Sequence, residues 1–155
     1  MPVQLLPLYL KRTASKYNKE MNKLSYLVVD DDTTNNLICE FTVRRFDKDA
    51  GITLFTKPEI ALEFIENNPQ PQEVILFLDI NMPTMTGFEF LKEFEKFDSE
   101  TRNKYRIYIL TSSIEDFSSQ AICFPMVNGF LSKPLKLSYL EEISENRGTE
   151  LLIKN

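Results

Sequence analysis

A chain of 155 residues, 43% of them apolar, has the size of one domain and enough apolar residues for a core of its own. It has no histidine, which excludes Ser-His-Asp and Cys-His catalysis, His-ligated zinc and phosphotransfer through a histidine of its own. A formal net charge of −5 argues against a nucleic-acid binder resting on a broad basic face.

The charge is uneven. Lys11, Arg12, Lys16, Lys19 and Lys23 against Glu20 give the first 24 residues a net +4, leaving −9 for the rest. Residues 1–23 read as a basic, mobile extension, with a partner-binding or membrane-touching arm as the rival reading and Met21 as an alternative start. The run Leu5-Leu6-Pro7-Leu8-Tyr9-Leu10 is short and proline-broken. It does not read as a signal peptide, and no apolar stretch reaches membrane-spanning length.

From residue 24, strand and helix patterns alternate. Residues 25–30 read as a strand and 33–46 as a helix, with Leu37, Ile38 and Phe41 on one face and Asp32 or Thr33 as N-cap. A short strand, 52–55, follows Gly51. Pro58 opens a helix to about Asn67, with Ile60, Ala61, Phe64 and Ile65 facing inward. Residues 74–78 are apolar without alternation, the mark of a strand covered on both faces.

Thr86-Gly87 leads into a helix of about 87–97 with Phe88, Leu91 and Phe94 at helical spacing. Strand 105–110, a helix of about 114–124, strand 127–131 and a helix from Leu137 to Asn146 or beyond complete the pattern. Five strands alternating with five helices imply an α/β fold, a doubly wound parallel sheet with right-handed crossovers. Cys39 and Cys123 are isolated and read as buried free thiols of a reducing, cytoplasmic protein.

Four apolar runs each end in a polar group: Tyr26–Val29 in Asp30, Asp31 and Asp32; Val74–Leu78 in Asp79; Ile107–Leu110 in Thr111; and Val127–Ser132 in Lys133-Pro134. Ligands of open parallel sheets sit at the carboxyl ends of the strands. Three acids, a hydroxyl and an ammonium are therefore expected at one place. Asp30, Asp31 and Asp79 would repel one another, and a hard cation with oxygen ligands, Mg²⁺ or Mn²⁺, relieves that repulsion. Asp32 reads instead as a helix cap. Beside a cation, Asp79 can act as a nucleophile towards phosphorus, with Lys133 and Thr111 set to meet the phosphoryl oxygens. Taken singly, Lys133 could be a solvated lysine and Thr111 a strand-end hydroxyl.

The stretches Leu27-Val28-Val29-Asp30-Asp31-Asp32, Phe77–Pro83 with Gly87, Ile109–Ser113 and Gly129–Leu135 together resemble the response regulator receiver domain of two-component signalling, over about residues 24–146. The resemblance is to a stand-alone, chemotaxis-regulator-like receiver. It implies a flavodoxin-like strand order 2-1-3-4-5 and one receiver domain over 24–155 without an output domain.

It also implies roles. Asp79 matches the phosphoacceptor, which with Asp30, Asp31 and the Asn81 backbone carbonyl would hold the metal. Thr111 and Phe130 match the switch pair, in which the ring swings inward as the hydroxyl turns to the phosphoryl group. Lys133-Pro134 matches a cis peptide that aims the lysine. Partners implied are a histidine kinase or histidine phosphotransfer protein and a downstream protein target, met through the fourth and fifth strands and helices; Ile114, Phe117, Met126 and Tyr139 are candidate contacts. Asn81 and Ser113 lie where an attacking water would approach and would tune phosphate lifetime.

Two departures stand out: Thr86 where the family often has Asp before the Gly, and Phe130 where Tyr is also common. Rival readings are a phosphorelay intermediate and an aspartyl-phosphate phosphatase. The latter wants an acid two positions after the nucleophile, where this chain has Asn81. The switching reading makes the chain a signalling domain rather than an enzyme.

Overall fold

The computed structural model describes residues 23–113, 120, 123–146 and 151–154. In chain order the elements are β1 (Ser25–Val29), α1 (Thr33–Phe46), β2 (Gly51–Phe55), α2 (Pro58–Asn67), β3 (Val74–Leu78), α3 (Gly87–Phe94), α4 (Ser99–Arg102), β4 (Tyr105–Thr111), β5 (Val127–Ser132), α5 (Leu137–Glu145) and β6 (Leu152–Lys154). All strands pair in parallel, in the order β2-β1-β3-β4-β5-β6. The expected order 2-1-3-4-5 is present, extended by one short strand.

Side chains alternate across each strand and feed two separate cores. Leu27, Val29, Leu76, Leu78, Ile107, Ile109 and Phe130 pack with α2 and α3 through Ala61, Ile65, Phe90, Leu91 and Phe94. Tyr26, Val28, Ile75, Phe77, Tyr108, Leu110 and Leu131 pack with α1 and α5 through Cys39, Val43, Tyr139, Leu140 and Ile143. The uninterrupted Val74-Ile75-Leu76-Phe77-Leu78 run is buried at every position, as a strand covered on both faces must be.

Several helix faces differ from expectation. Leu37, Ile38 and Phe41 are exposed, at 61%, 38% and 65%, and α1 buries Asn36, Cys39, Thr42 and Val43 instead. Its rotation is set by polar ties: Asp32 accepts the Thr34 N–H at 2.8 Å, and the Asn36 amide donates to the Asp30 carbonyl at 2.9 Å. Ile60 also lies outward, while Ala61 and Ile65 are buried as expected and Phe64 packs against the core. On α2 only Ile60 departs from the expected face, and Leu62 packs against the core beside the other three.

α3 stops at Phe94, short of 97, and Asp98 caps a separate short helix, α4. The helix expected over about 114–124 lies mostly outside the described residues, as do Ile114 and Phe117 and the extension over 1–22. Both cysteines are free, but only Cys39 is buried; Cys123 is exposed. Tyr139 is a core residue bonded to Ser132 at 2.8 Å and so is no open contact, whereas Met126 packs partly buried against the core and stays partly accessible.

Candidate phosphoryl and metal site

The topology explains why residues 103 positions apart meet. β1 and β3 are neighbours, with Val29 in register with Leu78, so Asp30 and Asp79 leave adjacent strand ends. The winding reverses between these two strands, because β2 lies outside β1 while β4 lies beyond β3. Such a switch point opens a crevice at the carboxyl edge. On its far side Thr111 pairs with Ser132, and the Lys133 N–H donates to the Thr111 carbonyl at 2.9 Å. The Lys133–Pro134 peptide is cis, as the sequence resemblance implied.

One carboxylate oxygen from each of Asp30, Asp31 and Asp79 lies within 4.8 Å of the others. Asp30 and Asp79 are 3% and 6% exposed, whereas Asp31 is exposed. The Lys133 ammonium reaches Asp30 Oδ2 at 2.6 Å and Asp79 Oδ1 at 3.1 Å. Three carboxylates and one ammonium leave a formal −2, which a divalent cation would balance. The donors are all oxygens, so the set fits a hard cation such as Mg²⁺.

Burial, and then the negative charge of Asp30, hold the Asp79 carboxyl above the usual carboxylate range, although Lys133 and a main-chain hydrogen bond from Asn81 pull the other way. Burial acts to lower the Lys133 pKa, but its hydrogen bonds and charge pairing with Asp30 and Asp79 prevail and raise it. The ammonium is therefore held charged beside a carboxylate of enhanced basicity.

Local structure fixes each group. Asp30 Oδ1 accepts the Asp32 N–H at 2.9 Å, and the Asp30 N–H donates to the Phe55 carbonyl at 3.0 Å. The Asp79 N–H donates to the Val29 carbonyl at 2.9 Å. Thr111 is fully buried, its hydroxyl accepting the Ser113 N–H at 3.2 Å. Phe130 is also fully buried, its ring already inside the α2/α3 core. Asp32 caps α1 and belongs to the helix, as the sequence reading held.

One supporting residue, Asn36, is absent from the sequence-derived set, while Gly87, already part of the stretch that carries the resemblance, gains a structural reason. Asn36 ties the main-chain oxygens of Asp30 and Phe55 together, at 2.9 and 3.3 Å. Its signal is a polar residue on what proves to be a buried helical face. At position 87 a Cβ would stand 2.5 Å from the Asp79 carbonyl oxygen and 2.9 Å from Ile80 Cα, so only glycine lets the loop fold back under the acceptor.

A doubly wound parallel sheet with an acid cluster and one lysine at its switch point defines a class of protein. The response regulator receiver domain model matches residues 26–145, and the chain belongs to that family of signalling domains. Among solved structures it is similar to the response regulator receiver protein of Dyadobacter fermentans DSM 18053, with TM-score 0.73 and 20% identity over 82% of this chain and 98% of that one. A two component response regulator of Cytophaga hutchinsonii gives 0.71 and 25% over 80% and 96%. Chemotaxis response regulator CheY4 of Vibrio cholerae gives 0.64 and 23% over 82% and 99%. A relative by sequence is the 3',5'-cyclic-nucleotide phosphodiesterase regA of Dictyostelium discoideum, 27% identical over 123 residues; these are 78% of this chain but only 15% of that protein.

Proposed function

We propose that this receiver takes a phosphoryl group on Asp79 from a phosphohistidine of a histidine kinase or phosphotransfer protein. The P–N bond of the donor breaks as a P–O bond to an Asp79 carboxylate oxygen forms, giving an acyl phosphate. The observation that carries the reading is the Lys133 ammonium bridging Asp30 and Asp79 within a cluster that keeps a formal −2.

Mg²⁺ held by Asp30, Asp31, Asp79 and the Asn81 carbonyl would supply charge neutralisation at the transferring group. Asp79 attacks from a buried position where its basicity is raised. Lys133 meets the added charge, and the Thr111 hydroxyl, whose oxygen accepts from Ser113, has its proton free to donate to a phosphoryl oxygen. Thr111 and Phe130 then act as the local mover, biasing a protein-binding surface between two states.

The donor needs a place to rest beside the acceptor. α1 begins at Thr33, directly after the metal-binding acids, and its exposed Leu37, Ile38 and Phe41 form an apolar strip next to the site. A helical donor domain carrying the missing histidine fits that strip.

Labelling with acetyl phosphate and Mg²⁺ tests the acceptor. Asp79→Asn abolishes incorporation of phosphoryl label, measured by intact mass, while the variant keeps its circular dichroism. Undiminished labelling of that variant would falsify the assignment.

A further inference from the structure

β6 adds a sixth strand to the exposed edge of β5, and its pairing is unlike the rest of the sheet. Register runs only over Gly129 with Leu152, Phe130 with Ile153 and Leu131 with Lys154, against five positions at each other junction. No residue of β6 is buried, and Leu151 and Ile153 are 48% and 47% exposed. The seat beneath it is nevertheless shaped. A Cβ on residue 129 would run into the main-chain oxygen of Leu152 and stand 2.9 Å from its Cβ, so glycine at that position admits a strand. Leu152 packs against the α1/α5 core, and Lys154 pairs with Glu142 of α5 at 2.8 Å.

We infer that the β5 edge is a strand-binding site for an extended segment of a partner protein, held in this structure by the chain's own Leu152-Ile153-Lys154. The seated strand specifies its competitor: a parallel segment with an apolar residue against Gly129, an outward residue next, and a basic residue against Glu142. Open strand edges recruit extended chains by main-chain pairing, with pockets at alternate positions giving selectivity. The tethered strand acts at an effective concentration on the order of millimolar, so it guards the edge without closing it. The inference does not rest on the phosphoryl-transfer reading, although the bound segment would lie in register with Phe130.

The probe is a synthetic peptide with the sequence of residues 149–155, titrated into isotope-labelled full-length protein. In Leu152→Pro, which cannot seat its own strand, the peptide moves the amide resonances of Gly129–Leu131; in wild type at the same concentration it does not. Adding Glu142→Lys weakens the peptide several-fold, and a peptide carrying Glu in place of its lysine restores binding. No movement in Leu152→Pro, equal movement in wild type, or indifference to the charge swap would overturn the inference. A wild-type dimer that disappears in Leu152→Pro would assign the edge to a second copy and overturn it as well.

Discussion

At the scale of single residues the site is governed by an imbalance of charge. Because the folded-state pKa of Asp79 is raised, folding favours its protonated form, and ionisation of the carboxyl works against the fold as pH rises through the carboxylate range. Replacing it with a neutral amide removes that cost, and Lys133 keeps Asp30 as its partner at 2.6 Å. Metal-free Asp79→Asn should therefore melt a few degrees above wild type at pH 7, and the gap should close below about pH 4, where an ordinary aspartate is protonated in both states. Scanning calorimetry across pH in the presence of a chelator measures this; a lower melting temperature for the variant at pH 7 would contradict it. Lys133→Ala has the opposite sign. It leaves buried Asp30 and Asp79 facing each other without a cation and should cost about 1–3 kcal/mol in the metal-free protein. Mg²⁺ binding should survive in that variant, and Mg²⁺ should recover much of the lost stability, which denaturant titration with and without the ion will show.

At the scale of elements, strands were far more legible than helix faces. The covered run 74–78 and the polar residues closing four of the strands are local signals, and β1 to β5 each lie within one residue of their expected bounds. The rotation of α1 is not local: it depends on Asn36 reaching the ends of β1 and β2, a tie that no apolar spacing announces. The same spacing that suggested a core face marks an outward strip. If that strip seats the phosphodonor, Phe41→Ser should leave the melting temperature unchanged, because the ring is exposed, with the Arg45 guanidinium over it at 5.8 Å. Labelling by acetyl phosphate should likewise be unaffected, while transfer from a phosphorylated protein donor should slow about tenfold, the order expected when one interface anchor is lost. Equal slowing with both donors would mean that the residue serves the site itself.

At the scale of the whole molecule, the site exists only when the separate strands are assembled into the sheet. Asp30 and Asp31 follow β1, Asp79 follows β3 and Lys133 follows β5, so no segment of the chain carries the cluster alone. The sequence pattern revealed that strand ends carry polar groups, and the topology turned this into a meeting point. β6 went unseen because three residues carry no periodicity and its pairing with β5 is set by tertiary packing. A site assembled from separate strands makes cation binding part of the folding free energy. A ligand bound only by the folded state stabilises it by RT ln(1 + [L]/Kd), or about 2.7 kcal/mol at a hundred times Kd. Mg²⁺ should therefore raise the denaturation midpoint of wild type while leaving the denaturant slope unchanged, since the area exposed on unfolding does not alter. Asp31→Ala takes an exposed carboxylate out of the acid cluster, so it should leave the metal-free midpoint near that of wild type and abolish the response to Mg²⁺. If Mg²⁺ raises the midpoint of Asp31→Ala as much as that of wild type, the cation binds elsewhere and the acid cluster is not its site.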